Sequence, residues 1–367
     1  MQSFRRSNHI LKLRITPSYL RKINRLLIRS ANWIGDAVMT TPAMGAIRKN
    51  FPGAEISILA KPWVAPLFEN SSHTDHVLIY DGAERHRGFA GKFRLARDLK
   101  SHSFDAAILF QNAFEAAFVT WLADIPFRIG YNTDVRTPLL THAVPCIPEM
   151  KKVHQVRYYM GILRGIGLQA DDPGLCLRVS PEDRHQAGEI LGGYGISHGN
   201  VIGINPGATF GTAKRWPREC YAELCRRLQK SLAAHILVFG GPEEKNLGHQ
   251  ICDGVGQHCT SLCGKTTLRE AVALIERCHL FVTNDSGLMH IAAALNVPQI
   301  AIFGPTNHVT TAPASPESRI VRVPVPCSPC LKPECPEGHH RCMKAVTVDM
   351  VWSEVCAQLE INWQSNF

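Results

Sequence analysis

The stretch "HLFVTNDSGLMHIAAALN" (279–296) decides the fold. Its first six residues are short, apolar and rich in β-formers, which predicts a buried strand over 279–284. Asp285, Ser286 and Gly287 follow, and then "LMHIAAALN" (288–296), an apolar helix pattern. A strand that passes through such a turn straight into a helix is one unit of a parallel α/β sheet. Ligands of these sheets sit beyond the carboxyl ends of the strands. A helix opening at Ser286 or Gly287 points unpaired N–H groups and its positive dipole end there, which suits phosphate. Gly287 lets the backbone approach closely, Ser286 adds a hydroxyl, and His290 lies about one turn along. Plain N-capping by Asp285 or Ser286, and a core role for His290, account for the same residues without a ligand.

Outward from this unit, strand and helix alternate along nearly the whole chain. Strands are predicted over 24–30, 55–60, 76–80, 105–110 and 127–131, then over 201–207 (ending in a glycine turn), 235–241, 260–264, 279–284 and 299–304. Helical patterns fill the intervals, at 37–51, 65–70, 91–102, 113–124, 154–167, 180–195, 220–232, 242–254 and 267–278, with a last one at 347–362. Ser180, with Asp183 three residues on, predicts an N-cap. Two such runs of similar length predict two doubly wound domains, with the break near 171–200, where "DDPG" and "GGYGISHGN" supply turn residues. The expected organisation is a basic extension over 1–23, domains over 24–180 and 181–345, and a final helix over 346–367.

The chain has 367 residues, 45% of them hydrophobic, enough for a large core in two domains, and a net charge of +9 that suits anionic partners. No apolar run approaches the roughly 20 residues of a membrane span. The first 29 residues carry many Arg and Lys, no acid and no apolar signal-peptide core, which predicts a cytoplasmic protein. Arg21, Lys22 and Arg25 interleave with Leu20, Ile23, Leu26 and Leu27, as in a segment lying peripherally on an anionic inner membrane, or in a basic tail entering the first strand. Thirteen cysteines in that compartment are mostly reduced, and Cys220, Cys225 and Cys278 read as small core residues. Cys327, Cys330, Cys335 and Cys342, in "CSPCLKPECPEGHHRC", have the spacing of a closed structural site for zinc or iron.

Two more loops share the carboxyl edge of the second domain. "NPGATFGTAKRWP" (205–217) offers Gly207, Thr209, Gly211 and Thr212 as phosphate donors, and Lys214 as a point charge for a departing diphosphate. "FGGPEE" (239–244) places Glu243 or Glu244 where acids bind ribose hydroxyls. Together the three loops predict a nucleoside-diphosphate site. "GKTT" (264–267) is no P-loop, because Cys259 stands where its first glycine belongs, and no dinucleotide fingerprint follows either first strand. In the first domain "SANWIGDAVMTTP" (30–42) is the matching loop. Asp36 there is either a helix cap or a carboxylate positioned to take a proton from a hydroxyl. No Asp-x-Asp pair is present to hold a catalytic metal.

These motifs resemble the lipopolysaccharide heptosyltransferases, most closely the heptosyltransferase II type. The resemblance runs from about residue 25 to 325 and is specific at "GDAVMTTPAMGAIRKNFPGAEI", "NPGATFGTAKRWP" and "VTNDSGLMHIAAALNVPQIAIFGP". It implies the GT-B architecture, two Rossmann-like domains facing across a cleft, and transfer of heptose from ADP-heptose to the lipopolysaccharide inner core. It also implies inversion without a catalytic cofactor, Asp36 as general base, Lys214 on the phosphates, Glu243 or Glu244 on ribose, and a donor loop of Asp285, Ser286, Gly287 and His290. Lys61, Arg128, Lys151, Lys152 and Arg157 are candidates for the anionic groups of the acceptor. The four-cysteine segment and the basic extension depart from the family's usual pattern. Some related enzymes with a four-cysteine iron site glycosylate proteins, which makes a protein acceptor the alternative. A non-catalytic nucleotide-sugar binder is another, whereas diffuse charge and the lack of a nucleic-acid fold exclude nucleic acid as a partner.

Overall fold

A computed structural model describes residues 23–171, 174–196 and 199–360. The chain divides into two compact units, Met1–Gly174 and Leu175–Phe367. Most of the predicted basic extension lies outside the described residues. Of the residues read as a segment lying on a membrane, Leu26 and Leu27 are fully buried in the first strand, so they present no face to a bilayer.

The first unit holds strands β1 (Arg25–Arg29), β2 (Glu55–Ala60), β3 (His76–Ile79), β4 (Ala106–Leu109), β5 (Phe127–Tyr131) and β6 (His142–Val144). They form one parallel sheet in the order β3-β2-β1-β4-β5-β6. Its helices are α1 (Ile34–Met39), α2 (Thr41–Asn50), α3 (Gly88–Ser101), α4 (Phe114–Leu122) and α5 (Gln155–Gly165). The second unit opens with α6 (Pro181–Gly193), capped by Ser180, whose hydroxyl accepts from Asp183 N at 3.0 Å. Strands β7 (Val201–Asn205), β8 (His235–Val238), β9 (Cys259–Ser261), β10 (Leu280–Asn284), β11 (Gln299–Phe303) and β12 (Ser318–Arg322) follow. They are parallel throughout, in the order β12-β11-β10-β7-β8-β9. Helices α7 (Arg218–Leu232), α8 (Lys245–Val255), α9 (Leu268–Glu276), α10 (Gly287–Ala294), α11 (His308–Thr311), α12 (Arg341–Lys344) and α13 (Val348–Gln358) cover it.

Both sheets thus have one topology. The strand order reverses between β1 and β4 and between β7 and β10, and at such a switch point the loops diverge to opposite faces and leave a ligand crevice. The central strands β4, β7, β10 and β11 are buried along their whole length, which is why they read as unbroken apolar runs.

Three expectations needed correction. The helix over 37–51 begins earlier, at Ile34, and breaks at Thr40. There Thr40 Oγ1 donates to Ala37 O at 2.6 Å and Thr41 Oγ1 to Val38 O at 2.7 Å, while Pro42 has no N–H to continue the ladder. The helix over 65–70 is one tight turn, Ala65–Leu67. The edge strands β6 and β12 went unread because one is very short and the other alternates with arginines, as exposed edges do.

Candidate active site

At the second unit's switch point, β7 and β10 both end in asparagine. Asn205 Nδ2 donates to Thr283 Oγ1 at 3.0 Å and to Ser286 Oγ at 2.5 Å. Asn284 Nδ2 donates to Pro206 O at 2.7 Å, and its Oδ1 accepts from the Tyr221 hydroxyl at 2.9 Å and Trp216 N at 3.2 Å. Both amides are buried, so each bond is costly to lose, and together they tie the loop after β7 to the loop after β10. Lys214 crosses the same gap: its Nζ lies 2.8 Å from Asp285 Oδ2, with side chains 14% and 6% exposed. Asp285 is therefore an ion-pair partner rather than a helix cap. Ser286 is the N-cap of α10, but its side chain makes no capping hydrogen bond, its hydroxyl receiving Asn205 instead. Gly287 opens the helix, and His290, its fourth residue, is 3% exposed.

The remaining loops pack against this centre. Glu244 is buried and its Oε2 accepts from Gly241 N at 2.6 Å, whereas Glu243 is exposed. A Cβ on Gly207 would lie 2.1 Å from Glu244 Oε1, so glycine there lets the loop after β7 rest on that carboxylate. Thr209 and Phe210 at the loop tip are exposed, and Lys214 Nζ sits 5.1 Å from the Phe210 ring.

The cysteine segment braces the same loop. Ala213 N donates to Pro333 O at 2.9 Å, and His340 Nε2 donates to Ala213 O at 2.7 Å. Cys327, Cys330, Cys335 and Cys342 line one small space with His339 and His340, and burial followed by the neighbouring thiols pushes the Cys342 thiol up. Among the described residues no group of three or more His, Cys, Asp or Glu is arranged to hold a metal ion, so the structural metal expected on these four thiols finds no support in the geometry.

In the first unit Asp36 is the third residue of α1 and does not cap it; the N-cap is Trp33. The Tyr159 hydroxyl, from α5, donates to Asp36 Oδ1 at 3.2 Å. Burial, and then the charge of Asp36, hold the Tyr159 phenol well above its ordinary value, so it remains a donor at neutral pH. Two tryptophans at the start of α1 have large exposed faces: Trp33, its N-cap, at 60%, and Trp63, at 54%, which donates from Nε1 to Asn32 O at 2.9 Å.

Cations gather at the ends of β1 to β3. Arg29 is buried, and burial lowers its guanidinium to about 10. Lys61 Nζ lies 3.5 Å from the Tyr80 ring centroid and is lowered by burial and by the charge of Arg29. Lys92 hydrogen-bonds the Tyr80 hydroxyl and pairs with Glu115 at 2.8 Å. Of the predicted acceptor contacts, Lys61 joins this cluster, while Lys151, Lys152 and Arg157 are exposed. Arg128 is committed elsewhere, donating to the carbonyls of Leu139 at 2.6 Å and of Ile125. Sequence reading missed Tyr159, Arg29, Tyr80, Lys92, Asn205 and Asn284. The matching Asn at the ends of β7 and β10 was the one local signal available.

Comparison with known proteins fits this geometry. The profile of glycosyltransferase family 9 (heptosyltransferase) matches residues 92–341. The chain is 30% identical over 344 residues to lipopolysaccharide heptosyltransferase 2 of Escherichia coli (strain K12), covering 91% of this chain and 98% of that one. Among solved structures, E. coli ADP-heptose LPS heptosyltransferase II matches with a TM-score of 0.77 at 28% identity, covering 92% of this chain and 98% of that one. A family 9 glycosyl transferase from Veillonella parvula DSM 2008 matches in fold with a TM-score of 0.86 at 22% identity, covering 95% of this chain and 100% of that one. The two parallel units are the Rossmann-like halves of a GT-B glycosyltransferase. The chain belongs to glycosyltransferase family 9, the heptosyltransferases.

Proposed function

We propose that this enzyme moves heptose from ADP-L-glycero-D-manno-heptose to the inner core of lipopolysaccharide, inverting the anomeric centre without a catalytic metal. The observation that carries the reading is the Lys214–Asp285 bridge at the β7/β10 switch point, beside the uncapped N-terminus of α10. The diphosphate of the donor binds between Gly207, Thr209, Lys214 and the N–H groups at Ser286 and Gly287. Glu244 rather than Glu243 takes the ribose hydroxyls, because its carboxylate is the one lying against the loops after β7 and β8. His290 supports the helix from its buried side.

The first unit serves the acceptor. Asp36, oriented by Tyr159, removes the proton of the acceptor hydroxyl. The oxygen attacks the anomeric carbon from the face opposite ADP, the bond from that carbon to the β-phosphate oxygen breaks, and Lys214 meets the charge that grows on the leaving group. Trp33 and Trp63 offer faces for the acceptor sugar, and Lys61 and Lys92 offer charge for its anionic groups. The cysteine segment acts by bracing Ala213 and hence Lys214. An acceptor anchored in the inner membrane calls for a peripheral enzyme at its cytoplasmic face, and among the described residues no helix is long and apolar enough to cross a membrane.

The test is ADP release from ADP-heptose with heptose-truncated core lipopolysaccharide, with and without EDTA. Release should require acceptor and survive EDTA, and Asp36→Asn should lower it by about 10²–10⁴-fold. Tight ADP binding with no release on any truncated core would refute the acceptor assignment.

A further inference from the structure

Two helices of the first unit expose aromatic rings on adjoining faces. On α3, Phe89 is 71% exposed and Phe93, one turn on, 46%. On α4, Phe114 (43% exposed) and Trp121 (46%) share a face with half-buried Phe118. The rings touch in series: the centroids of Phe89 and Phe93 are 5.0 Å apart, Phe89 and Phe118 6.4 Å, Phe114 and Phe118 5.9 Å, and Phe118 and Trp121 6.1 Å. Val135 extends the surface, 85% exposed on a backbone at φ +54° that a β-branched side chain resists. It follows Asp134, which accepts from Phe114 N at 2.5 Å. Core packing does not require these rings, because Leu95, Ala96 and Leu99 of α3 and Ala116, Ala117 and Val119 of α4 already fill the buried faces. A continuous apolar patch of this kind marks an interaction surface.

The charges around it identify the partner. Arg87, Arg94 and Arg97 are exposed, and none lies within ion-pair distance of a carboxylate among the described residues. Three of the neighbouring acids are paired, Asp98 with Arg85 at 2.7 Å, Asp124 with Lys100 and Glu115 with Lys92, while Asp134 accepts from Phe114 N and Glu84 is exposed. A two-fold pairing with a second copy would oppose two faces that both carry these arginines, at a repulsive cost. An anionic bilayer suits both features, since aromatic rings settle at headgroup level while arginines meet lipid phosphates. The face also leads toward the cation cluster: Lys92, beside Phe93, pairs with Glu115, beside Phe114, and reaches Tyr80, over which Lys61 sits.

We propose that the α3–α4 aromatic face, with Arg87, Arg94 and Arg97, docks this protein on an anionic membrane surface. The proposal rests on the heptosyl-transfer reading only for its purpose, which is to bring the enzyme to a lipid-anchored acceptor. Docking is tested without acceptor, by co-sedimenting the full chain with vesicles of phosphatidylethanolamine and phosphatidylglycerol, against vesicles of phosphatidylcholine alone. The wild type should bind the anionic vesicles. Phe89→Ser with Phe93→Ser and Trp121→Ser should weaken binding at least about tenfold. Arg94→Glu with Arg97→Glu should weaken it by about thirtyfold or more, at about fivefold per cation. Both variants should keep the wild-type melting temperature and transfer heptose to a deacylated core in solution. A folded aromatic variant that binds as the wild type does, or a wild type that ignores anionic vesicles, overturns the proposal. So does a wild-type dimer, seen by ultracentrifugation, that the aromatic variant splits. Docking without any transfer to the deacylated core would uphold this proposal and sink the acceptor reading instead.

Discussion

Replacing Lys214 by methionine separates two jobs that one side chain performs. Its Nζ is 2.8 Å from Asp285 Oδ2, and the two side chains are 14% and 6% exposed. Removing the cation strands a nearly buried carboxylate, and breaking such a pair costs about 3–5 kcal/mol. Some water still reaches Lys214, so the lower end applies, about 3 kcal/mol. At roughly 2–4 °C per kcal/mol for a domain of this size, the second unit should melt about 6–12 °C lower. Adding Asp285→Leu removes the stranded charge, so the double variant should recover most of that loss. Activity should not follow stability. Neither variant has a cation for the leaving diphosphate, so kcat should fall by about 10²–10³-fold in both. Circular dichroism melts and ADP release at saturating donor read the two quantities separately. A double variant that transfers heptose at the wild-type rate would refute the role given to Lys214. A single variant that melts like the wild type would show the bridge to be structurally idle.

Other perturbations follow from individual contacts. Tyr159→Phe removes the 3.2 Å bond to Asp36 Oδ1, and a hydrogen bond to a charged group is worth about 1.5–3 kcal/mol. kcat should therefore drop by roughly 10–100-fold with donor KM unchanged, and an unchanged kcat would remove Tyr159 from the site. Gly211→Ala places a Cβ 2.1 Å from Pro333 O at φ +154°, so the Lys214 loop must shift; calorimetry should find ADP binding at least about tenfold weaker in a folded protein. For Asp183, burial raises the carboxyl, but bonds from Ser180 and Arg269 outweigh it and leave the group below its ordinary range. Its folded-state value being depressed, its stabilisation is present above the unfolded value of about 3.9 and is lost as pH falls through the folded one. The stability gap between wild type and Asp183→Asn, read from urea midpoints, should therefore be constant at neutral pH and close below about pH 4.

Much of this architecture was legible in one dimension. Buried parallel strands announce themselves as apolar runs, as at 280–284 and 299–303, and the turns after them carry the glycines and polar residues that chain reversal needs. The carboxyl-end rule then picked out the loops with Asp36, Gly207, Lys214 and Asp285 before any coordinate was known. The edge strands β6 and β12 escaped because one has three residues and the other, "SRIVR", has no run of apolar residues to display.

Pairings across those loops belong to the tertiary structure. Lys214 and Asp285 lie far apart in the chain, as do Tyr159 and Asp36, and they meet only because crossovers lay distant strands side by side. Periodicity reports which face of its own element a residue occupies; it carries nothing about which element lies opposite. For that reason the sequence left Glu243 and Glu244 equivalent, and packing separated them by burying Glu244 against Gly207. Likewise no local pattern marked the aromatic residues of α3 and α4 as exposed; the sheet, filled by smaller side chains, left them outside. Composition and spacing determined two doubly wound halves and the edge at which each one works. Only the packed structure decided which side chains face one another there, because that depends on strand order and volume, which no local pattern encodes.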